Sequence, residues 1–293
     1  MATTGEASDF GLRDLAVSLG KTTAVDRYAA AASLERAGDF KAAMSLYSQA
    51  YRLWPALDSI IEGGLPALVR SEAEAAGLRC VLAAVDVSLA RRTSVVRARA
   101  LLTAADIAAI EATRTCILAT ETVLENNAQN VTHQNKECLF LNNAPDRVFC
   151  TKAPHVLAKI LRFADSAWKE QRWSDADVGG PLHAIRGGVE GLSIRVIEYW
   201  RYQPGGGLTD LLHYDTDSVL TIVAQLSTPD EEYEGGVFRT HEMSGEQLEH
   251  PMELGDVVCL VSHKYHNVTS VTRGRRRVLV MELWQGGSAH TGR

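Results

Sequence analysis

The spacing of hydrophobic positions changes along the chain, from a helical period to a strand period. From about Val25 to Glu125, apolar residues recur three and four positions apart, which puts them on one face of a helix. An example is the series Ala43, Leu46, Tyr47, Ala50 and Leu53. A further amphipathic helix is predicted from Pro154 to Lys169, and the polar, glycine-rich segment from Ser174 to Gly191 is predicted to be a loop.

From Leu192 onward, short segments rich in valine, isoleucine and tyrosine are separated by glycine, proline or aspartate. The predicted strands are Ile194–Tyr202, Ser218–Gln225, Gly236–Thr240, Val257–Val261, Val268–Val271 and Val278–Trp284. Short strands without intervening helices are typical of an antiparallel sandwich or barrel. The predicted fold class is therefore α+β, with a helical region in residues 1–130 and a double-stranded β-helix (jelly roll) with flanking helices in residues 131–293.

One stretch of the helical region resembles the second half of a tetratricopeptide repeat. Gly38-Asp39-Phe40 supplies a turn, small alanines follow, and Pro55 ends the helix. Repeats of this kind bury their faces against neighbouring repeats, and only one is recognisable here. Two interpretations stay open: a helical array that binds a peptide, and a helical bundle packed on the second domain.

Composition narrows the classes of partner and compartment. Of the 293 residues, 46% are hydrophobic and 23% are charged, as in a globular protein with a buried core. The net charge of -6 disfavours nucleic acid and anionic membranes as partners, although the basic run Arg273–Arg277 opposes this trend. The polar N-terminus lacks the features of a signal peptide, and no apolar run approaches the ~20 residues of a membrane span. We therefore expect a cytoplasmic protein.

The five cysteines are scattered and contain no CxxC pair, so they indicate neither a disulfide framework nor a zinc site. Two histidines and an aspartate suit a metal better. His213 and Asp215 are two residues apart, so they project to the same side of an extended chain. One more imidazole would complete a set that leaves adjacent coordination positions open, which suits Fe(II). His266 and His263 both follow a strand and compete for this role, and Arg276 lies ten residues after His266.

Five motifs then occur in a recognisable order. They are His213-Tyr214-Asp215, Gly235-Gly236, Gly255-Asp256, His266 with Val268 and Val271, and Arg276. On these motifs, residues 198–286 resemble the catalytic core of the prolyl 4-hydroxylase-like 2-oxoglutarate/Fe(II) dioxygenases.

The resemblance implies Fe(II) held by His213, Asp215 and His266, with 2-oxoglutarate as cosubstrate and O2 as oxidant. Ascorbate is a further candidate cofactor. It also implies that Arg276 holds the distal carboxylate of 2-oxoglutarate, since a guanidinium suits a bidentate carboxylate contact. Tyr202 is a second candidate contact to the cosubstrate. Related halogenases lack the carboxylate ligand, so the presence of Asp215 favours hydroxylation.

Three functions are compatible with these observations. The first is a hydroxylase of a prolyl or other protein side chain, with the helical region helping to present the peptide. The second is a hydroxylase of a small molecule whose helices only support the barrel. The third is a catalytically silent helical-repeat interaction protein, which the complete metal and cosubstrate set disfavours.

Overall fold

The computed structural model describes residues 22–36, 87–127, 135–211, 213–215, 218–242 and 244–285, with single positions between 42 and 85. The chain divides into two compact units, Met1–Cys80 and Val81–Arg293. In the first unit, helix α1 spans Thr22–Arg36, within the predicted helical region. The tetratricopeptide-like segment lies almost entirely outside the described residues, and the domain limits at 130 and 131 stay a prediction.

The second unit combines helices with antiparallel strands. Its helices are α2 (Val87–Ala90), α3 (Ala104–Leu118), α4 (Glu121–Asn127), α5 (Val148–Lys152) and α6 (Pro154–Glu170). Helix α6 confirms the predicted amphipathic helix, and its buried residues include Val156, Ile160, Ala164 and Ala167, at helical spacing. The predicted loop from Ser174 to Gly191 contains two short 3₁₀ helices, Ala176–Val178 and Gly188–Gly191. None of the helices in the described part of the chain has the length and apolarity needed to cross a bilayer.

Helix α3 begins with a capping box that also ties it to α6. The Thr103 hydroxyl accepts a hydrogen bond from the Asp106 backbone N–H, and the Asp106 carboxylate accepts one from the Thr103 N–H. Lys159 of α6 donates to the same carboxylate. Burial raises the pKa of Asp106, but hydrogen bonds from Lys159 and Thr103 outweigh that effect and lower the pKa to about 2.

The main sheet has six antiparallel strands in the order β1-β8-β4-β11-β3-β2. Its strands are β1 (Val96–Ala98), β2 (Lys136–Phe140), β3 (Ser193–Tyr202), β4 (Leu220–Gln225), β8 (Val257–Val261) and β11 (Arg276–Trp284). Strands β3, β4, β8 and β11 confirm four predicted strands. Both β4 and β8 are buried at every position, which explains why their sequences are mostly apolar rather than alternating.

The structure corrects the helical prediction at β1, which lies inside the stretch from Val25 to Glu125. Residues 96–98 pair with β8 instead, from Val96 opposite Cys259 to Ala98 opposite Val257. A three-residue strand is too short to show its own hydrophobic period, so its conformation depends on the strand beside it.

Two smaller sheets complete the β structure of the described residues. Their strands are β5 (Tyr233–Gly235), β6 (Phe238–His241), β7 (Gln247–Glu249), β9 (His266–Val268) and β10 (Val271–Gly274). The order is β7-β6-β9 in one sheet and β10-β5 in the other. The predicted strand Val268–Val271 is therefore wrong as a single strand, since residues 269 and 270 separate two strands with different partners.

Alternating side chains of the main sheet contribute to two separate apolar clusters. On β4, Ile222 and Ala224 join the larger cluster, which contains the buried residues of α3 and α6. Val223 faces the opposite way and joins the smaller cluster, where Phe238 and Val268 of the small sheets also pack. The candidate functional site lies on this second face of the main sheet.

Candidate metal centre

The structure brings His213, Asp215 and His266 together at one point. One ligand atom from each residue lies within 4.8 Å of the others. Nε2 of His213 is 3.1 Å from Oδ1 of Asp215, and Nε2 of His266 is 3.6 Å from Oδ2 of Asp215. The two imidazole rings stand nearly perpendicular, with centroids 5.0 Å apart.

Backbone hydrogen bonds hold the two ligand-bearing segments side by side. His213 and Asp215 precede β4, whereas His266 is the first residue of β9. The backbone N–H of His266 donates to the carbonyl of His213 at 2.9 Å, and that of Asp215 donates to the carbonyl of Ser262 at 3.0 Å. The three side chains are thus positioned by backbone pairing between segments far apart in the chain.

The orientation of His266 favours metal binding through Nε2. Its Nδ1 lies 3.0 Å from the backbone carbonyl of Lys264, which can only accept a hydrogen bond, so Nδ1 carries the proton. In the neutral imidazole, Nε2 then carries no proton and can bind a metal, and it lies 3.6 Å from Oδ2 of Asp215. Lys264 is itself buried, and its ammonium donates to Glu242 at 2.7 Å and to the carbonyl of Arg91 at 3.3 Å.

The competing ligand, His263, lies outside this cluster. Its ring packs on Tyr214, with centroids 5.6 Å apart, and it is completely buried. Burial, reinforced by the nearby charge of Arg91, lowers the pKa of His263 to about 4, so the imidazole is neutral at pH 7. Neither ring nitrogen forms a hydrogen bond with any residue that the structure describes. The geometry selects His266 over His263.

The metal-ligand candidates line a cavity of about 260 Å³ on the face of the main sheet that carries the smaller apolar cluster. Its walls are largely apolar and include Leu208, Val223, Phe238, Val268 and Val278. Polar side chains also line it, among them Lys136 and the buried carboxylate of Glu198, which accepts a hydrogen bond from Trp200 Nε1 at 2.7 Å. A mostly apolar cavity with a few convergent polar groups is typical of a small-molecule site.

Arg276 lines the same cavity, and its guanidinium is only partly satisfied. The residue is 2% exposed, yet its Nε and Nη1 make no hydrogen bond to any residue of the described chain. Arg276 is hydrogen-bonded to Tyr233, whose pKa is raised by burial and lowered by the arginine, with burial the larger effect. Because a buried unpaired charge is costly, these nitrogens fit the carboxylate of a ligand.

Tyr202, the second predicted cosubstrate contact, also lines the cavity and is 6% exposed. The Arg276 guanidinium lies 5.7 Å from its ring centroid, and its ring stacks on Trp200 at 5.9 Å. The Tyr202 side chain therefore lies on the face of β3 that lines the cavity, near the Arg276 guanidinium.

The Gly255-Asp256 motif has a structural task away from the cavity. The Asp256 carboxylate accepts hydrogen bonds from the backbone N–H groups of Ala100 at 2.7 Å and Glu253 at 2.8 Å, and it pairs with Arg97. A β-carbon on Gly255 would lie 2.2 Å from the carbonyl oxygen of Leu102. This motif therefore joins β1 to the start of β8 rather than contacting a metal or cosubstrate.

The basic run around Arg276 is balanced by acidic residues. Arg273 pairs with Glu234, and Arg277 pairs with Glu111 and Glu232. Arg277 is thus an ion-paired, half-buried residue rather than a freely solvated neighbour of Arg276.

Sequence reasoning missed three polar residues of the cavity, Lys136, Glu198 and Thr221. Glu198 and Thr221 lie on strands that were predicted, and Glu198 shares its face of β3 with Trp200 and Tyr202. Lys136 begins β2, which was not predicted. Strand alternation from Tyr202 was the available signal for Glu198. Thr221 showed no signal of its own, because threonine is common in strands of every kind.

No family model matches the chain, and no curated protein matches it. Solved structures similar to it include an oxidoreductase of the 2OG-Fe(II) oxygenase family from Burkholderia pseudomallei, 16% identical, with a TM-score of 0.44 over 70% of this chain and 91% of that one. A prolyl-4-hydroxylase from Pseudomonas putida is 17% identical and has a TM-score of 0.43; the match covers 69% of this chain and 97% of that one. A third structure is a prolyl hydroxylase from Trichoplax adhaerens in complex with a hypoxia inducible factor oxygen degradation domain peptide fragment. It is 10% identical and has a TM-score of 0.44, and the match covers 69% of this chain and 89% of that one. One of these structures is a 2OG-Fe(II) oxygenase and two are prolyl hydroxylases.

Proposed function

We propose that this chain is an Fe(II)- and 2-oxoglutarate-dependent dioxygenase that hydroxylates an unactivated C–H bond, and that its sheets form a double-stranded β-helix. One observation carries the proposal. Two imidazoles and a carboxylate converge in the same cavity as a buried arginine, two of whose nitrogens make no hydrogen bond to the described part of the chain.

The donor set fits Fe(II). Two neutral imidazoles and one carboxylate, His213, His266 and Asp215, form a half-filled coordination shell that leaves adjacent positions for a chelating ligand and oxygen. Bound Fe(II), together with 2-oxoglutarate and O2, supplies the oxidising chemistry of hydroxylation. The protein's contribution is to hold His266 in the required tautomer through Lys264 and to keep all three donors aimed at one point.

Arg276 has the role of holding the distal carboxylate of 2-oxoglutarate. Its Nε and Nη1 make no hydrogen bond within the described residues, so the guanidinium keeps donors for a carboxylate, the group that it binds best. Val223 and Val278 line the same cavity, and their apolar side chains limit the access of water to that contact, which strengthens the charge interaction. Tyr202 is proposed as a further contact to the cosubstrate.

The substrate is proposed to be a prolyl or other protein side chain, with a free small molecule as the second candidate. The peptide fragment bound in the Trichoplax adhaerens complex concerns that prolyl hydroxylase and does not identify the substrate of this chain. A catalytically silent interaction protein is disfavoured, because a silent barrel has no need of a buried arginine with unpartnered nitrogens in its cavity. Ascorbate as a cofactor and a peptide-presenting role for the helical region stay predictions of the sequence.

The test uses the full chain. Fe(II)-loaded protein is incubated with 2-oxoglutarate in air, and succinate release is followed by NMR; in parallel, 2-oxoglutarate binding to Mn(II)-loaded and metal-free protein is measured by calorimetry. We expect succinate to form only with Fe(II), and 2-oxoglutarate to bind far more tightly when metal is present. Folded, metal-loaded protein that neither binds 2-oxoglutarate nor releases succinate contradicts the proposal.

A further inference from the structure

Two buried hydroxyl groups form a hydrogen-bonded chain that ends on the Asp215 carboxylate. The hydroxyl of Thr221 donates to Oδ2 of Asp215 at 2.6 Å, and it lies 2.9 Å from the hydroxyl of Ser262. The exposed fractions of Asp215, Thr221 and Ser262 are 4%, 1% and 0%. At this depth water does not compete for the hydrogen bonds, so each of them restrains its partners strongly.

Donor counting sets the direction of both hydrogen bonds. A metal-binding carboxylate is deprotonated and can only accept, so Thr221 must use its one proton on Asp215. The hydrogen bond between the two hydroxyls then takes its proton from Ser262. The order Ser262, Thr221, Asp215 is therefore a one-way relay of donors that ends on the carboxylate.

The relay is attached to rigid parts of the fold. Thr221 belongs to β4, where it pairs with Leu260 of β8 and with Glu282 of β11. Ser262 follows β8 directly, and its own carbonyl accepts the backbone N–H of Asp215 at 3.0 Å. Asp215 is thus held through both its backbone and its side chain by residues fixed on neighbouring strands.

We infer that Thr221, supported by Ser262, is a positioning residue that determines which oxygen Asp215 presents to the metal. Oδ2 accepts the Thr221 hydrogen bond and lies 3.6 Å from Nε2 of His266, whereas Oδ1 lies 3.1 Å from Nε2 of His213, so Oδ1 is the oxygen that Thr221 leaves to the metal. A carboxylate limited in this way occupies one coordination position instead of two and leaves more positions for other ligands. The inference rests on the proposed metal centre.

The test compares three variants of the full chain that change one threonine each. Thr221→Val keeps the shape and removes the hydroxyl, whereas Thr221→Ser keeps the hydroxyl. Thr113→Val is the matched control, because Thr113 is a fully buried threonine whose hydroxyl donates only to the Ala109 carbonyl within α3. Mn(II) affinity is measured by calorimetry, and the Mn(II) coordination is followed by electron paramagnetic resonance.

We expect Thr221→Val to weaken Mn(II) binding by roughly 10- to 100-fold, the usual effect of removing an outer-sphere partner of a metal ligand. Its resonance spectrum should change, while Thr221→Ser and Thr113→Val keep the affinity and spectrum of the wild type. Equal Mn(II) affinity and an identical spectrum in Thr221→Val overturn the inference and leave the metal centre intact. If the wild type itself binds no Mn(II), the proposed metal centre fails and the inference fails with it.

Ser262→Ala keeps the inference testable if Thr221→Val does not fold. It removes the donor to Thr221 but not the backbone carbonyl that holds Asp215, so the loss of Mn(II) affinity should go in the same direction and be smaller. If folded Ser262→Ala protein binds Mn(II) as tightly as the wild type, the proposed support of Thr221 by Ser262 is overturned.

Discussion

A β-carbon on Gly236 would lie 2.7 Å from Cδ of Arg276, so the missing side chain at position 236 makes room for the arginine. Gly236 also has φ +61°, a backbone conformation that glycine adopts without strain. The glycine pair and the basic residue, which read as separate motifs in the sequence, are therefore in direct contact. The glycine lets Arg276 extend along the cavity wall with two nitrogens still available to a ligand.

Arg276→Ala should raise the KM for 2-oxoglutarate, because the distal carboxylate is left unpaired in an apolar cavity. The expected cost is about 3 kcal/mol, or on the order of 100-fold in KM. Steady-state kinetics with varied 2-oxoglutarate measures it. Arg275→Ala is the control, since Arg275 is exposed on the same basic run and should leave KM unchanged. An unchanged KM in Arg276→Ala assigns the carboxylate contact to another residue.

Asp215→Ala should abolish metal-dependent turnover and metal retention, because it removes the one anionic donor of the site. His213→Ala should do the same by removing an imidazole. Metal content after desalting, measured by plasma mass spectrometry, tests both variants. His183→Ala is a suitable control, because this exposed histidine contacts the carbonyl of Gly180. A variant at Asp215 that keeps wild-type metal content and turnover refutes the ligand assignment.

Replacing His266 and His263 in parallel should separate ligand from structural residue. His266→Ala is expected to lose Mn(II) affinity, because its Nε2 faces Asp215. His263→Phe is expected to keep that affinity, because the His263 ring packs on Tyr214 and its nitrogens bond to no described residue. Calorimetry with folded protein of both variants is the measurement. The reverse result would place the third ligand at residue 263.

Asp106→Asn should lower the free energy of unfolding at neutral pH, and the difference from the wild type should decrease at acid pH. The folded-state pKa of about 2 lies below the ordinary aspartate pKa of 3.8, so the stabilisation is complete above the unfolded pKa and is lost as pH falls through the folded one. This difference corresponds to about 2 kcal/mol at pH 7, falling to about 1 kcal/mol at pH 3.

Urea denaturation of wild type and Asp106→Asn at both pH values measures this change. Asp165→Asn is the control, because its ion pair with Lys169 is more exposed and contributes little. His155 also lies 3.7 Å from the Asp106 carboxylate, so His155→Ala is included to separate its effect. A stability difference that is the same at pH 7 and pH 3 would show that the carboxylate charge is not what stabilises this helix start.

A chain that begins at Val81 should keep Mn(II) and 2-oxoglutarate binding, because every candidate site residue lies in the second unit. A chain that begins after Glu125 should not fold, since it loses β1 and helix α3, whose Ile110 and Ile117 belong to the main apolar cluster. Circular dichroism and calorimetry measure folding and binding. A folded 81–293 protein without metal affinity would mean that residues 1–80 are needed for the site.

Some features could be predicted because they are local. The helix from Pro154 shows a helical period, and the strands β3, β4, β8 and β11 are apolar or alternating segments of five or more residues, which is enough to identify each element. Strands β1, β5 and β7 are three residues long and could not be identified this way. Each depends on a partner strand that is distant in sequence.

The sequence alone determined the order and spacing of the candidate residues His213, Asp215, His266 and Arg276, and the amphipathic periods around them. Only the tertiary structure showed His266, and not His263, beside His213 and Asp215, placed Gly236 against Arg276 and set Thr221 beside Ser262. Those relationships join residues such as 221 and 262, which lie 41 positions apart and meet through sheet pairing. Hydrophobic periodicity reports on neighbours along the chain, whereas a site is made by contacts across it.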